Sequence, residues 1–121
     1  MSREKEKMIS GEIYDPTDLK LVLDRAYANK ICTKYNKKSF NEINMRSCLL
    51  KKIIRASGNF WIKPPFFCDY GYNIEIGKNV MLNFGCVILD VCSVKIGDNT
   101  LIGPNSHIYT ACHSLDACER M

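Results

Sequence analysis

The sequence predicts an α+β chain whose classes follow one another in order: an N-terminal helical segment, then a parallel β-helix built from hexapeptide repeats. Three observations predict it. Apolar residues recur every four positions through much of the first half, an aliphatic residue returns every six positions from Asn73 onward, and two near copies of one pentapeptide stand 20 residues apart. The chain has 121 residues, 46% of them hydrophobic and 25% charged, which suits one small globular domain, or a helical piece attached to part of something larger, and excludes a disordered or collagenous one. No window approaches the roughly 18 apolar residues of a membrane span. The start, Met1-Ser2-Arg3-Glu4-Lys5-Glu6-Lys7, lacks the apolar core of a secretory signal. A cytoplasmic chain with no membrane partner is the expectation.

The helical elements come first. A short helix is expected before Gly11. Asp15-Pro16-Thr17-Asp18 then supplies a turn and an N-cap candidate for a helix in which Leu19, Leu23, Tyr27, Ile31 and Tyr35 line one face, ending near Asn36. After the polar Asn36-Lys37-Lys38-Ser39 break, Met45, Leu49, Ile53 and Ala56 repeat the spacing with Lys51, Lys52 and Arg55 turned outward, and Gly58 offers a C-terminal stop. These boundaries divide the chain into a helical region (1–57), a linker (58–73) and a repeat region (74–121).

In the repeat region the aliphatic positions are Ile76, Leu82, Ile88 and Val94, then Ile96, Ile102 and Ile108. Ile76-Gly77-Lys78-Asn79-Val80 and Ile96-Gly97-Asp98-Asn99-Thr100 are the near copies, and Ile102-Gly103-Pro104-Asn105-Ser106 repeats the unit six positions later. Each hexapeptide supplies one short strand and a turn, with one aliphatic side chain pointing inward, so stacked coils bury a continuous core. Three hexapeptides, about 18 residues, are expected to close one triangular coil, which makes the step from Ile76 to Val94 one coil and the slip to Ile96 a bulge or small loop.

Charge and cysteines narrow the function. Residues 1–60 carry 13 Lys/Arg against 7 Asp/Glu, a balance of +6, whereas residues 61–121 carry 4 against 6, a balance of −2. The basic residues are scattered along solvated helix faces, with no interleaved aromatic platform, and do not point to nucleic acid. The seven cysteines are odd in number and form no CxxC, and they read as reduced packing thiols.

The run Asp69-Tyr70-Gly71-Tyr72-Asn73-Ile74-Glu75-Ile76-Gly77 is followed by Asn83-Phe84-Gly85, Leu89-Asp90, Ile96-Gly97-Asp98-Asn99, Ile102-Gly103-Pro104-Asn105 and Tyr109-Thr110-Ala111-Cys112-His113. With the start, Glu4 through Pro16, this pattern resembles the maltose and galactoside O-acetyltransferases of the hexapeptide-repeat acyltransferases over nearly the whole chain. The resemblance implies a left-handed β-helix, against the usual right-handed crossover, a homotrimer with active sites between subunits, acetyl-CoA as cosubstrate and a sugar hydroxyl as acceptor. It implies no metal.

By position, His113 matches the family's catalytic histidine, and a neutral imidazole suits removal of a hydroxyl proton near pH 7. Asp15, Asp69 and Asn83 match acceptor-contacting places. Asp90 is a fourth candidate, but galactoside members carry adjacent carboxylates there and Val91 follows it here, which leaves open whether Asp90 contacts ligand or orients His113. His107 reads as structural. Cys112 neighbours His113, but strand neighbours face opposite ways, which argues against a thiolate–imidazole couple. His107, Cys112, His113 and Cys118 have no recognised zinc spacing, and two histidines in total argue against a three-histidine carbonic anhydrase. The family's coenzyme A groove is built largely by coils later than His113, so the repeat is expected to be incomplete at the C-terminus. The alternative function is accordingly a noncatalytic remnant or interaction module of the same fold.

Overall fold

The computed structural model describes residues 3–38 and 43–110, without the side chains of 43–46. Three helices, α1 (Arg3–Ser10), α2 (Leu19–Lys37) and α3 (Ile43–Leu50), precede nine strands among these residues. The strands are β1 (Arg55–Ala56), β2 (Phe60–Ile62), β3 (Phe66–Cys68), β4 (Ile74–Ile76), β5 (Val80–Leu82), β6 (Cys86–Leu89), β7 (Val94–Ile96), β8 (Leu101–Ile102) and β9 (His107–Tyr109). They form three parallel sheets, β1-β4-β7, β2-β5-β8 and β3-β6-β9, the three walls of a β-helix.

Each coil takes 20 residues. Ile76 pairs with Ile96 and Ile74 with Val94, so the step from Ile76 to Val94 is not a coil and the expected bulge or small loop is absent from that position. Two corners are three residues long, and Asn79, Asn99 and Asn105 close them in the left-handed region, with φ of 57°, 61° and 58°. The third corner, residues 69–73 and 90–93, is longer and supplies the extra residues.

The β-helix also starts earlier than residue 74. Strands β1–β3 form a first coil, with Phe60 paired to Val80 and Phe66 to Cys86, so the expected 58–73 linker contains two strands. The inward positions of that coil are Phe60, Ile62 and Phe66 and its corner holds Pro64-Pro65, so a search for aliphatics between glycines passes over it. The second long helix is shorter for the same reason: α3 stops at Leu50, Ile53 sits in a turn, and Ala56 pairs with Ile76.

The α2 boundaries match the sequence reading, with the Asp18 carboxylate accepting from the Leu21 N–H at the N-cap. Its buried face differs. Leu21, Ala28, Ile31, Cys32 and Tyr35 are buried, whereas Leu19 is 71% exposed, Leu23 57% and Tyr27 48%. A strict four-residue spacing drifts by about 40° per step on a helix of 3.6 residues per turn, so Leu19 and Tyr35 lie on nearly opposite faces.

The core is continuous from helix to coil. Ile31, Cys32, Tyr35, Leu50, Ile53 and Ile54 pack on Phe60, Ile62 and Phe66, and the stack continues through Ile74, Ile76, Val80, Leu82, Cys86, Ile88, Val94 and Ile96. The helices thereby close the open end of the first coil. The Tyr35 hydroxyl donates to the Ile62 carbonyl, and Asn36 makes two bonds with the backbone of Phe66, one as donor and one as acceptor, which satisfies edge groups of that coil. A second cluster, Met8, Leu21, Tyr70 and Val91, fixes α1 and the start of α2 over the long corner. Among the described residues no helix is long and apolar enough to cross a membrane.

Candidate functional site

The long corner and the segments above it hold most of the chain's unusual chemistry. At its base lies Asp90, fully buried. One carboxylate oxygen accepts from the Tyr70 N–H at 2.9 Å and the other from the Asn73 N–H at 3.1 Å. Asn73 answers by donating its side-chain amide to the Asp90 carbonyl at 2.7 Å and the Val91 carbonyl at 3.2 Å. The sequence leaves Asp90 open between contacting the acceptor and orienting His113; both of its oxygens are turned onto backbone, and it braces the corner of the preceding coil. Burial pushes its carboxyl up to about 6, against the opposing pull of the backbone N–H groups. Gly71 stands at the centre of this brace with φ of +85°, and a Cβ there would lie 2.7 Å from the Ile53 Cβ.

Above the brace, Arg25 of α2 donates to the Tyr70 hydroxyl and to the Pro16 carbonyl, each at 2.7 Å. It thus ties the loop after α1 to the corner. Glu4 of α1 accepts from the Asp15 N–H at 2.8 Å, and the Asp15 carboxylate accepts from the Thr17 N–H at 2.9 Å and the Thr17 hydroxyl at 2.6 Å. Those bonds hold the exposed Asp15 carboxyl below its ordinary range. Asp69 is half-buried next to Tyr70; burial raises its carboxyl, and the Arg25 charge pulls it back down. Burial likewise raises the Tyr14 phenol, with Arg25 opposing it. Among the described residues no hydrogen bond occupies the Asp69 carboxylate. The neighbouring Tyr72 stacks on Tyr70 at 5.3 Å, donates to Asp24 at 2.9 Å and lies under the Lys5 ammonium at 4.0 Å.

The expected site residues therefore divide. Asp69 lies beside Arg25, Tyr14 and Tyr70, and Arg25 also reaches the carbonyl of Pro16, whereas the Asp15 carboxylate next to it is turned onto Thr17. Asn83 does not join them within the chain, because it occupies the three-residue corner at the start of β6 while the Asp69 corner lies at the other end of that sheet. Its side-chain oxygen accepts from the Phe84 N–H at 2.8 Å. His113 lies outside the described residues, as do Cys112 and Cys118. His107 is exposed, with its Nδ1 2.7 Å from the Tyr109 hydroxyl. Among the described residues no group of His, Cys, Asp and Glu has the arrangement of a metal site.

Residues 7–58 match the family described as the maltose acetyltransferase hexapeptide capping motif, the segment that here closes the first coil. Nodulation protein L of Rhizobium meliloti (strain 1021) is 42% identical over 118 residues, covering 97% of this chain and 64% of that protein. The crystal structure of a maltose O-acetyltransferase from Clostridium difficile 630 superimposes with a TM-score of 0.94 at 40% identity, covering 98% of this chain and 64% of that one. Over nearly its whole length this chain is similar to the hexapeptide-repeat acetyltransferases. A further member, from Vibrio cholerae O1 biovar eltor and complexed with acetyl coenzyme A, aligns with a TM-score of 0.85 at 35% identity over 99% of this chain and 64% of its own. The chain spans about 64% of the length of these relatives. The shared fold is the left-handed β-helix. The cluster around Arg25 is what the sequence does not reveal: its contact with Tyr70 crosses 45 positions, and no local spacing marks it.

Proposed function

We propose that this chain forms the acceptor side of an acetyl-CoA-dependent O-acetyltransferase acting on a sugar hydroxyl of the maltose, glucose or galactoside type, in the cytoplasm. The observation that carries the reading is the half-buried Asp69 carboxylate beside the Arg25 guanidinium, flanked by Tyr14 and Tyr70 and adjoined by the Asp15 loop. Carboxylates and phenols in a partly desolvated setting pair with hydroxyls, and reject molecules that leave them unpaired. The solved relatives, one named a maltose O-acetyltransferase and one complexed with acetyl coenzyme A, support the donor and the acceptor class. None of the described side chains is assigned to coenzyme A. What the chain's own residues contribute is acceptor binding and removal of a proton. The His113 imidazole takes the hydroxyl proton as that oxygen attacks the thioester carbonyl, and the acetyl group passes directly to the sugar without an acyl-enzyme.

A homotrimer completes this reading. One wall of the β-helix presents an apolar ladder to the outside, Trp61-Met81-Leu101, a second presents Phe67 and Val87 followed by the polar His107, and the third presents Arg55-Glu75-Lys95. Leu101 is 76% exposed and Trp61 47%, surfaces that packing against another copy would remove from water. Such packing also allows Asn83 of one copy to complete a site begun by Asp69 of another.

The test is sugar-dependent release of coenzyme A thiol by the purified chain, with light scattering run in parallel. The expected result is a trimer whose release depends on sugar and falls by at least about 100-fold in His113→Ala. Transfer retained in His113→Ala overturns the base assignment. A well-folded trimer that releases no thiol with any of the three sugars favours the noncatalytic interaction module instead.

A further inference from the structure

Cys32 on α2 and Cys68 at the end of β3 are 36 positions apart in sequence, yet their sulfurs stand 3.8 Å from one another. Both are free thiols, Cys32 1% exposed and Cys68 half-buried. The other described cysteines have different surroundings: Cys48 is exposed on α3, the Cys86 thiol faces the Gly103 carbonyl, and the Cys92 thiol faces the Met8 carbonyl. We propose that Cys32 and Cys68 form a reversible disulfide that fastens the helical cap covalently to the first coil of the β-helix. The sulfurs are already in contact, and forming the bond requires them to close to about 2.05 Å.

With hydrogen peroxide as oxidant the balance is two thiols plus one peroxide to one disulfide plus two waters. The two S–H bonds and the O–O bond break, the S–S bond forms, both sulfurs are oxidised and both peroxide oxygens are reduced. Cys68, the less buried of the two, gives the small oxidant its path to the pair. The S–H···S contact lowers the Cys32 thiol and raises that of Cys68, so Cys32 meets the peroxide first and Cys68 closes the bond as its proton leaves. The consequence is mechanical. Cys68 adjoins Asp69, and α2 carries Arg25, so the bond fixes the two elements that flank the long corner. The inference rests on this contact alone and is independent of the transfer reaction.

The experiment treats the 121-residue chain with hydrogen peroxide at graded doses, blocks remaining thiols by alkylation, and maps disulfide-linked peptides by mass spectrometry. A Cys32–Cys68 linked peptide should dominate at low dose, lower the mass of the monomer by about 2 Da, raise the thermal midpoint by about 5 °C or more, and disappear on reduction with dithiothreitol. Cys48→Ser should leave this response intact, while Cys32→Ser, checked for folding by circular dichroism, should abolish the linked peptide and the thermal shift together. Alkylation of both Cys32 and Cys68 after peroxide, or linkage dominated by Cys48, Cys86, Cys92, Cys112 or Cys118, overturns the proposal.

Discussion

The fully buried Asp90 makes stability depend on pH in a direction opposite to that of an ordinary paired carboxylate. Its folded value is raised from 3.8 to about 6 by desolvation, so between those values the native chain holds a proton that the unfolded chain has lost. The slope of unfolding free energy with pH follows protons bound unfolded minus protons bound native, which is negative here, so stability from this group is present below pH 3.8 and is lost as pH rises towards 6. At 1.36 kcal/mol per unit the loss amounts to about 3 kcal/mol. Asp90→Asn keeps the site uncharged at every pH. Its amide NH2 must face one of the two backbone N–H groups that the carboxylate accepts, at a cost of about 1–3 kcal/mol, and that penalty does not titrate. Urea unfolding of both proteins, followed by fluorescence of the single Trp61, measures the difference between them. The variant should gain on the parent by about 2–3 kcal/mol between pH ~3.5 and pH ~7.5. The lowered carboxyls, Glu4 and Asp15, have the reverse sign but occur in both proteins and cancel. A difference that stays constant over this range would refute the argument that burial, rather than the two N–H bonds, governs Asp90.

Other perturbations test separate parts of the structure. Phe66→Ala empties a fully enclosed ring position where α2 meets the first coil, and should cost about 3–5 kcal/mol of unfolding free energy in urea; a loss under about 1 kcal/mol would show that the cap and coil are not one core. Arg25→Ala removes the guanidinium that joins Pro16 to Tyr70, and should raise the acceptor KM about tenfold or more while changing kcat little, with Arg25→Lys restoring only part because one ammonium cannot span both oxygens as the fork does. A drop in kcat at unchanged KM would refute the positioning role.

Elements whose periodicity is local were legible in the sequence. The helix before Gly11, the α2 boundaries and the inward ladder Ile76, Leu82, Ile88 and Ile96 follow from spacing that short segments impose by themselves. Features decided between distant segments were not. The first coil is hidden because Phe60 and Phe66 fill it with rings and because Ala56 gains its strand conformation from pairing with Ile76, overriding the helical spacing of Leu49, Ile53 and Ala56. At the site, Asp15 and Asp69 were named from position, but the sequence carries no mark of Arg25, nor any sign that Asp90 turns inward. An aspartate before a turn reads the same whether its carboxylate faces a ligand or a neighbouring backbone.

The three corners of the coil explain where function can be placed. The short corners are three residues long and closed in part by asparagines at positive φ, a geometry that tolerates little change without strain. The long corner has room to vary, and a segment with spare backbone must find partners for its buried N–H and C=O groups. Asp90 and Asn73 supply those partners from inside the stack, using one coil to hold the corner of the preceding one. With its base fixed in this way, the corner packs Tyr70 against α1 and α2 and leaves the Asp69 carboxylate half-exposed beside them. A rigid interior brace beneath a variable rim is the usual condition for a specific binding loop. The same division predicts different outcomes for the two aspartates: Asp90 substitutions register first in stability and its pH dependence, whereas Asp69 substitutions register first in acceptor KM with the unfolding midpoint little moved, a contrast that kinetics and urea unfolding of the two variants measure directly.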